Sequence, residues 1–118
     1  MKIILLGGAG IIGKVIARDL ALTQDVAEVV IADLNEAGAQ ATVDNSAPGD
    51  RRFTAAQIDV IDRAALVKLL RGANCVINSV QYYYNLDVMR ACLEAGCHYL
   101  DLGGLFHTTR QQLELNEN

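Results

Sequence analysis

Glycines at positions 8, 10 and 13 follow directly on the apolar run Lys2-Ile3-Ile4-Leu5-Leu6-Gly7, and an acid, Asp33, closes the next apolar run, Glu28-Val29-Val30-Ile31-Ala32. A turn of this composition can hold a diphosphate through main chain alone. Gly8 permits the tight strand-to-helix turn, Gly10 removes a Cβ from the path of a pyrophosphate, and Gly13 lets the helix pack close to the strand. The opening helix turn offers unpaired N–H groups around Ala9 to Ile12 and the positive end of its dipole. The expected phosphate-binding set is therefore Gly8, Ala9, Gly10, Ile11, Ile12 and Gly13, and the ligand a dinucleotide.

Asp33 stands where a carboxylate can accept hydrogen bonds from an adenosine ribose 2′-OH and repel a 2′-phosphate, which favours NAD over NADP. Leu34 and Asn35, next in the chain, supply no cation for a 2′-phosphate, although some NADP-binding proteins use Asn there, so NADP stays open. The plainer reading is that Asp33 or Asn35 caps the following helix. Asp59 and Val60 are expected to close the third strand at the same edge as Asp33, where Asp59 could accept from an adenine amine and Val60 cover the ring. Their structural alternative is a turn residue and a core residue. Asn78 and Ser79 follow Cys75-Val76-Ile77 and are expected beside the pyrophosphate and nicotinamide ribose, or else simply end a strand. Tyr82-Tyr83-Tyr84 reads as packing against a neighbouring domain or subunit, and Asp101 as a turn cap or a substrate-side carboxylate. No catalytic residue is assigned.

These groups need a scaffold that brings strand ends together. Apolar segments open near Lys2, Glu28, Phe53, Cys75 and His98, and that spacing is one βα unit of a parallel sheet. The helix patterns between them have starts and stops: Ile12, Val15, Ile16 and Leu20 after the glycines; Asn35 before Glu36 to Val43; Asp62 before Ala64 to Arg71; Asn85 before Leu86 to Ala95, with Gly96 beyond. Right-handed crossovers place helices on both faces. The expected fold is α/β, a doubly wound parallel sheet of the Rossmann type. Residues 44–50, with the only proline, read as a surface loop, and residues 108–118 as the beginning of a helix.

A chain of 118 residues forms one domain, 1–118, short for a complete dinucleotide enzyme. The expectation is an N-terminal portion of a longer two-domain protein. A formal charge of −4 without a basic stripe excludes nucleic acid and anionic membrane as partners, and no segment has the length of a membrane span. Cys75, Cys92 and Cys97 lack a C-x-x-C arrangement, and with His98 and His107 they form no zinc pattern, so reduced thiols and a cytoplasmic location are expected, without metal. A domain apart from its partner should expose apolar surface and self-associate as a homo-oligomer.

In motif order the chain resembles the N-terminal domain of the saccharopine dehydrogenase family: the glycine turn, Ile31-Ala32-Asp33, Ile58-Asp59-Val60, Val76-Ile77-Asn78, and above all Ala91-Cys92-Leu93-Glu94-Ala95-Gly96-Cys97-His98-Tyr99-Leu100-Asp101-Leu102-Gly103-Gly104. That resemblance implies an NAD(P)-dependent oxidoreductase exchanging hydride at a C–N bond of an amino acid or related amine, the substrate being held mainly by a second, C-terminal domain. By itself the present segment should bind cofactor and turn over poorly. Where family members often carry prolines after the fourth strand, this chain has Gln81 and tyrosines. Two other readings compete. Gly7, Gly10 and Gly13 also fit extended short-chain dehydrogenases and epimerases, but no tyrosine is followed by lysine four residues later. A regulatory nucleotide-sensing module, similar to those that gate potassium transporters, would also explain the shortness.

Overall fold

The computed structural model describes residues 1–81 and 84–102; Tyr82, Tyr83, Gly103, Gly104, His107 and the helix expected over 108–118 lie outside the described residues. Among the described residues, five strands alternate with four helices: β1 (Lys2–Leu6), α1 (Ile11–Ala21), β2 (Glu28–Asp33), α2 (Glu36–Ser46), β3 (Phe53–Gln57), α3 (Arg63–Leu70), β4 (Cys75–Asn78), α4 (Asn85–Ala95) and β5 (His98–Asp101). All strand pairs are parallel, in the order β3-β2-β1-β4-β5. This is the doubly wound Rossmann arrangement. The order reverses between β1 and β4, opening a crevice at the carboxyl edge.

The strand residues are apolar because both faces are covered. Ile4, Leu6, Val30, Ala32 and Val76 pack under α3 and α4, whereas Ile3, Leu5, Val29 and Ile31 pack under α1 and α2. Period-two alternation thus feeds two cores from one sheet. The strand starts agree with the sequence reading at all five positions.

The helices differ from it in three places. On α1 the buried positions are Gly13 and Ala17, while Ile12 and Val15 are about half exposed. Small residues one turn apart let the helix lie closest to the sheet along that line, which turns Ile12 and Val15 outward while Ile16 and Leu20 pack against the core as expected. Second, α2 runs through Asp44 to Ser46, beyond the expected end at Val43; Gln40 Nε2 donates to Asp44 Oδ1 at 3.0 Å, and Pro48 then enforces the stop. The turn is accordingly shorter than residues 44–50. Third, Asn85 is not a cap. Tyr84 occupies that position with no side-chain capping bond, and Asn85 is buried inside the first turn of α4, accepting from Asn78 Nδ2 at 3.0 Å. The other two caps are as read: Asn35 Oδ1 accepts from Gly38 N–H and Asp62 Oδ1 from Ala65 N–H.

Candidate dinucleotide site

The loop from β1 to α1 is built by unequal glycines. Gly7, not Gly8, takes the left-handed conformation, φ +79°, and its backbone lies so close to Ser79 that a Cβ would meet the Ser79 carbonyl carbon at 2.9 Å. Gly7 and Gly8 donate their N–H groups to Ala32 O, which pins the turn over β2. A Cβ on Gly8 would collide with Ile31 Cγ2, and one on Gly13 with Gly7 O. Gly10 differs. Its φ of −79° suits any residue, and among the described residues a Cβ there would meet only Gly7 O, at 3.4 Å, an ordinary contact. The fold does not require glycine at position 10, so the space beside it is what an added side chain would fill.

Gly10 is the N-cap of α1 and has no side chain to cap with. Ala9 N–H donates to Asp33 Oδ2 at 3.0 Å, and Gly10 N–H to Gly7 O at 3.1 Å. Among the described residues nothing accepts from the N–H groups of Ile11, Ile12 and Gly13, which are left for an anion at the positive end of the helix dipole. Ile11 is 82% exposed, so its backbone is reachable.

Asp33 ends β2 with both carboxylate oxygens engaged, Oδ2 by Ala9 N–H and Oδ1 by Asn35 N–H at 3.0 Å. Main-chain donors thereby fix the carboxylate while lone pairs remain for hydroxyl groups. A cavity of about 140 Å³ opens beside it. Leu34, Asp59 and Val60 line this cavity with Asp33, joined by Ile58 and by Val80 and Tyr84 from the segment after β4. Its apolar wall and acidic rim suit a flat heteroaromatic ring. β3 itself stops at Gln57; Asp59 lies beyond it in a turn, Oδ1 accepting from Ile61 N–H and its carbonyl from Asp62 N–H.

Asn78 and Ser79 occupy the switch point with their side chains turned inward. Asn78 is buried: Nδ2 donates to Asn85 Oδ1 and to Tyr99 Oη, and Oδ1 accepts from Val80 N–H. Ser79 Oγ donates to Leu6 O at 2.7 Å. Both tie β4 and the segment after it to neighbouring elements. Tyr99 in turn donates to Asp101 Oδ2 at 2.8 Å, and burial pushes its phenol pKa well above the usual range.

Two supporting residues were missed in the sequence. Thr42, buried in α2, donates to Gly8 O at 2.7 Å, and Gly38 allows α2 to approach the loop, since a Cβ there would lie 2.8 Å from Ala9 Cβ. A glycine within a helical pattern was the available signal for Gly38; nothing in the pattern distinguished Thr42. Among the described residues no group of His, Cys, Asp and Glu could hold a metal ion, and no helix is long and apolar enough to cross a membrane.

Comparison with known proteins agrees with this fold. The family model described as saccharopine dehydrogenase NADP binding domain matches residues 3–118. Carboxyaminopropylagmatine dehydrogenase of Synechocystis sp. is 33% identical over 103 residues, 86% of this chain and 25% of that protein. Among solved structures, apo saccharopine dehydrogenase (L-Glu forming) from Saccharomyces cerevisiae superposes with a TM-score of 0.79 at 25% identity, covering 93% of this chain and 23% of that one. A short-chain dehydrogenase/reductase from Veillonella parvula in complex with NADP has a TM-score of 0.68 at 14% identity, covering 85% of this chain and 46% of that one, a likeness of fold alone. The chain spans about a quarter of the length of the first two. The loop, the cavity and these matches together make it an NAD(P)-binding domain of saccharopine dehydrogenase-like oxidoreductases, and the chain belongs to the saccharopine dehydrogenase NADP binding domain family.

Proposed function

We propose that this domain serves hydride exchange at a C–N bond of an amino acid or related amine, with NAD preferred over NADP. The observation that carries the reading is the space beside Gly10, which the protein's own packing does not need, facing the uncapped start of α1. Ile11, Ile12 and Gly13 N–H would hold the diphosphate, Asp33 the adenosine ribose, and Leu34, Val60 and Tyr84 the ring. When bound, the nicotinamide accepts or delivers the hydride. The preference for NAD rests on a carboxylate that main chain holds in place, with no cation among the described residues that line the cavity to receive a 2′-phosphate. The C–N chemistry is supported by the family resemblance and by two relatives that are named dehydrogenases.

In this reading a second domain contributes most of the substrate contacts, and the chain by itself binds cofactor without efficient turnover. The exposed Ile11, Ile12 and Val15 beside the loop offer apolar surface to such a domain or to a second copy of the chain. Calorimetric titration with NADH and NADPH tests the reading: binding of both is expected, NADH the tighter, and no heat from either at millimolar concentration would overturn it. Assaying the uninterrupted reading frame with NAD and a panel of amino acids and polyamines tests the C–N assignment. Activity confined to alcohols would refute it.

A further inference from the structure

We propose that Cys92 and Cys97 form a redox-active dithiol that closes to an intramolecular disulfide when the protein meets a hydroperoxide. The pair is set by the end of α4. Gly96 takes φ +80°, and the N–H groups of Gly96 and Cys97 both donate to Cys92 O, at 2.8 and 3.1 Å. This left-handed reversal folds the chain back on the last turn of the helix. The Cys97 Sγ thereby comes to 3.3 Å from Cys92 Sγ, to which it donates. Two sulfurs so placed need only a small rotation about their side-chain bonds to reach bonding distance. The third thiol is across the sheet: Cys75 packs with the core under α1 and α2, whereas Cys92 and Cys97 pack with the core under α3 and α4.

Accessibility orders the chemistry. Cys92 is 1% exposed and burial raises its thiol pKa, while Cys97 is partly open to solvent. Cys97 sulfur attacks the peroxide O–O bond, becoming a sulfenic acid and releasing water or an alcohol. Cys92 sulfur then attacks Cys97 sulfur, the S–S bond forms and water leaves. In sum, two thiols lose two protons and two electrons, and the peroxide bond takes them up. A dithiol reductant reverses the reaction. The bond would tie the end of α4 to the residue before β5, which carries Tyr99 to its contacts with Asn78 and Asp101. None of this depends on the cofactor reading.

Tryptic mapping reads the outcome directly, because residues 91–110 form one peptide holding Cys92 and Cys97 but not Cys75. After treatment with hydrogen peroxide and then iodoacetamide, that peptide should be recovered unalkylated and two hydrogens lighter. The melting temperature should rise on the order of 5 °C and return with dithiothreitol. Cys75→Ser should leave this unchanged, and Cys92→Ala should leave a sulfenic acid at Cys97 that dimedone captures. Recovery of the wild-type peptide with both cysteines alkylated, with Cys97 overoxidised beside an alkylatable Cys92, or with a bond to Cys75 would each overturn the proposal.

Discussion

The Asp33 carboxylate and the Ala9 main-chain N–H meet at 3.0 Å, so the acid at the end of β2 is part of the glycine loop as well as its neighbour. One residue thus shapes the diphosphate turn and presents an acceptor where a ribose would lie. Asp33→Ser should weaken NADH binding by about tenfold to a hundredfold, the scale of a hydrogen bond to a charged group. NADPH should weaken less, or gain, because the charge repelling its 2′-phosphate is gone. Parallel calorimetric titrations of both cofactors against wild type and variant give the ratio; an equal loss for the two would remove Asp33 as the selector.

Gly10 and Gly13 are separated by what surrounds them. Gly10→Val should keep thermal stability within about 1 kcal/mol, since its φ is ordinary and among the described residues its Cβ meets only Gly7 O, at 3.4 Å. NADH affinity should nevertheless fall more than tenfold. Gly13→Val should destabilise by about 3 kcal/mol or more, because the added carbon meets Gly7 O and lies 2.8 Å from Gly8 Cα. Urea unfolding with titration on the same samples checks both, and a Gly10→Val protein with undiminished affinity would remove the diphosphate from this loop.

Thr42 holds the loop from beneath, its hydroxyl lying 2.7 Å from Gly8 O and 3.1 Å from Gly38 O. Thr42→Val keeps the shape but leaves the Gly8 carbonyl without this donor. A loss of about 1–3 kcal/mol is expected in urea unfolding. Thr42→Ser, which retains the hydroxyl, should recover most of it.

At the opposite edge of the sheet, Arg52 joins Asp50 at 2.7 Å and donates to the carbonyls of Ala21, Thr23 and Val26, holding the exit of α1. Hydrogen bonds from Arg52 lower the Asp50 pKa below its ordinary carboxylate value. A lowered folded pKa means that the stabilisation is complete above the unfolded value, about pH 4, and disappears as pH falls through the folded value. Wild type should therefore lose stability relative to Asp50→Asn on acidification below about pH 4, with the two curves running parallel near neutrality. Unfolding midpoints across pH 2.5 to 7 measure this, and parallel curves throughout would contradict it.

Much of the fold was legible because its signals are local. A strand buried on both faces must be apolar along its length, so Ile3 to Leu6 and Val29 to Ala32 announced themselves, and Asn35 and Asp62 marked helix starts through bonds spanning three residues. Asn85 misled for the same reason: its type matches a cap, and only the meeting of β4 with α4 gave its side chain a buried partner in Asn78. Parallel strands imply that their carboxyl ends share an edge, and hence that Asp33, Asp59 and Asn78 lie along it; only packing decided that Asp33 and Asp59 line one cavity while the Asn78 side chain turns inward to Asn85 and Tyr99.

From sequence alone came the glycine turn, the strand rhythm and the acid at position 33, because each is a matter of residue type and short spacing along one chain. Tertiary structure decided which glycine does what. Gly7 bends, Gly8 and Gly13 yield to Ile31 and to the loop carbonyl, and of these four loop glycines only Gly10 is spared by its described neighbours. It also decided that α2 braces the loop through Thr42 and that Cys92 and Cys97 face each other. Those outcomes depend on how closely separate elements approach, a distance that packing of both cores against one sheet determines and that no stretch of residues carries by itself.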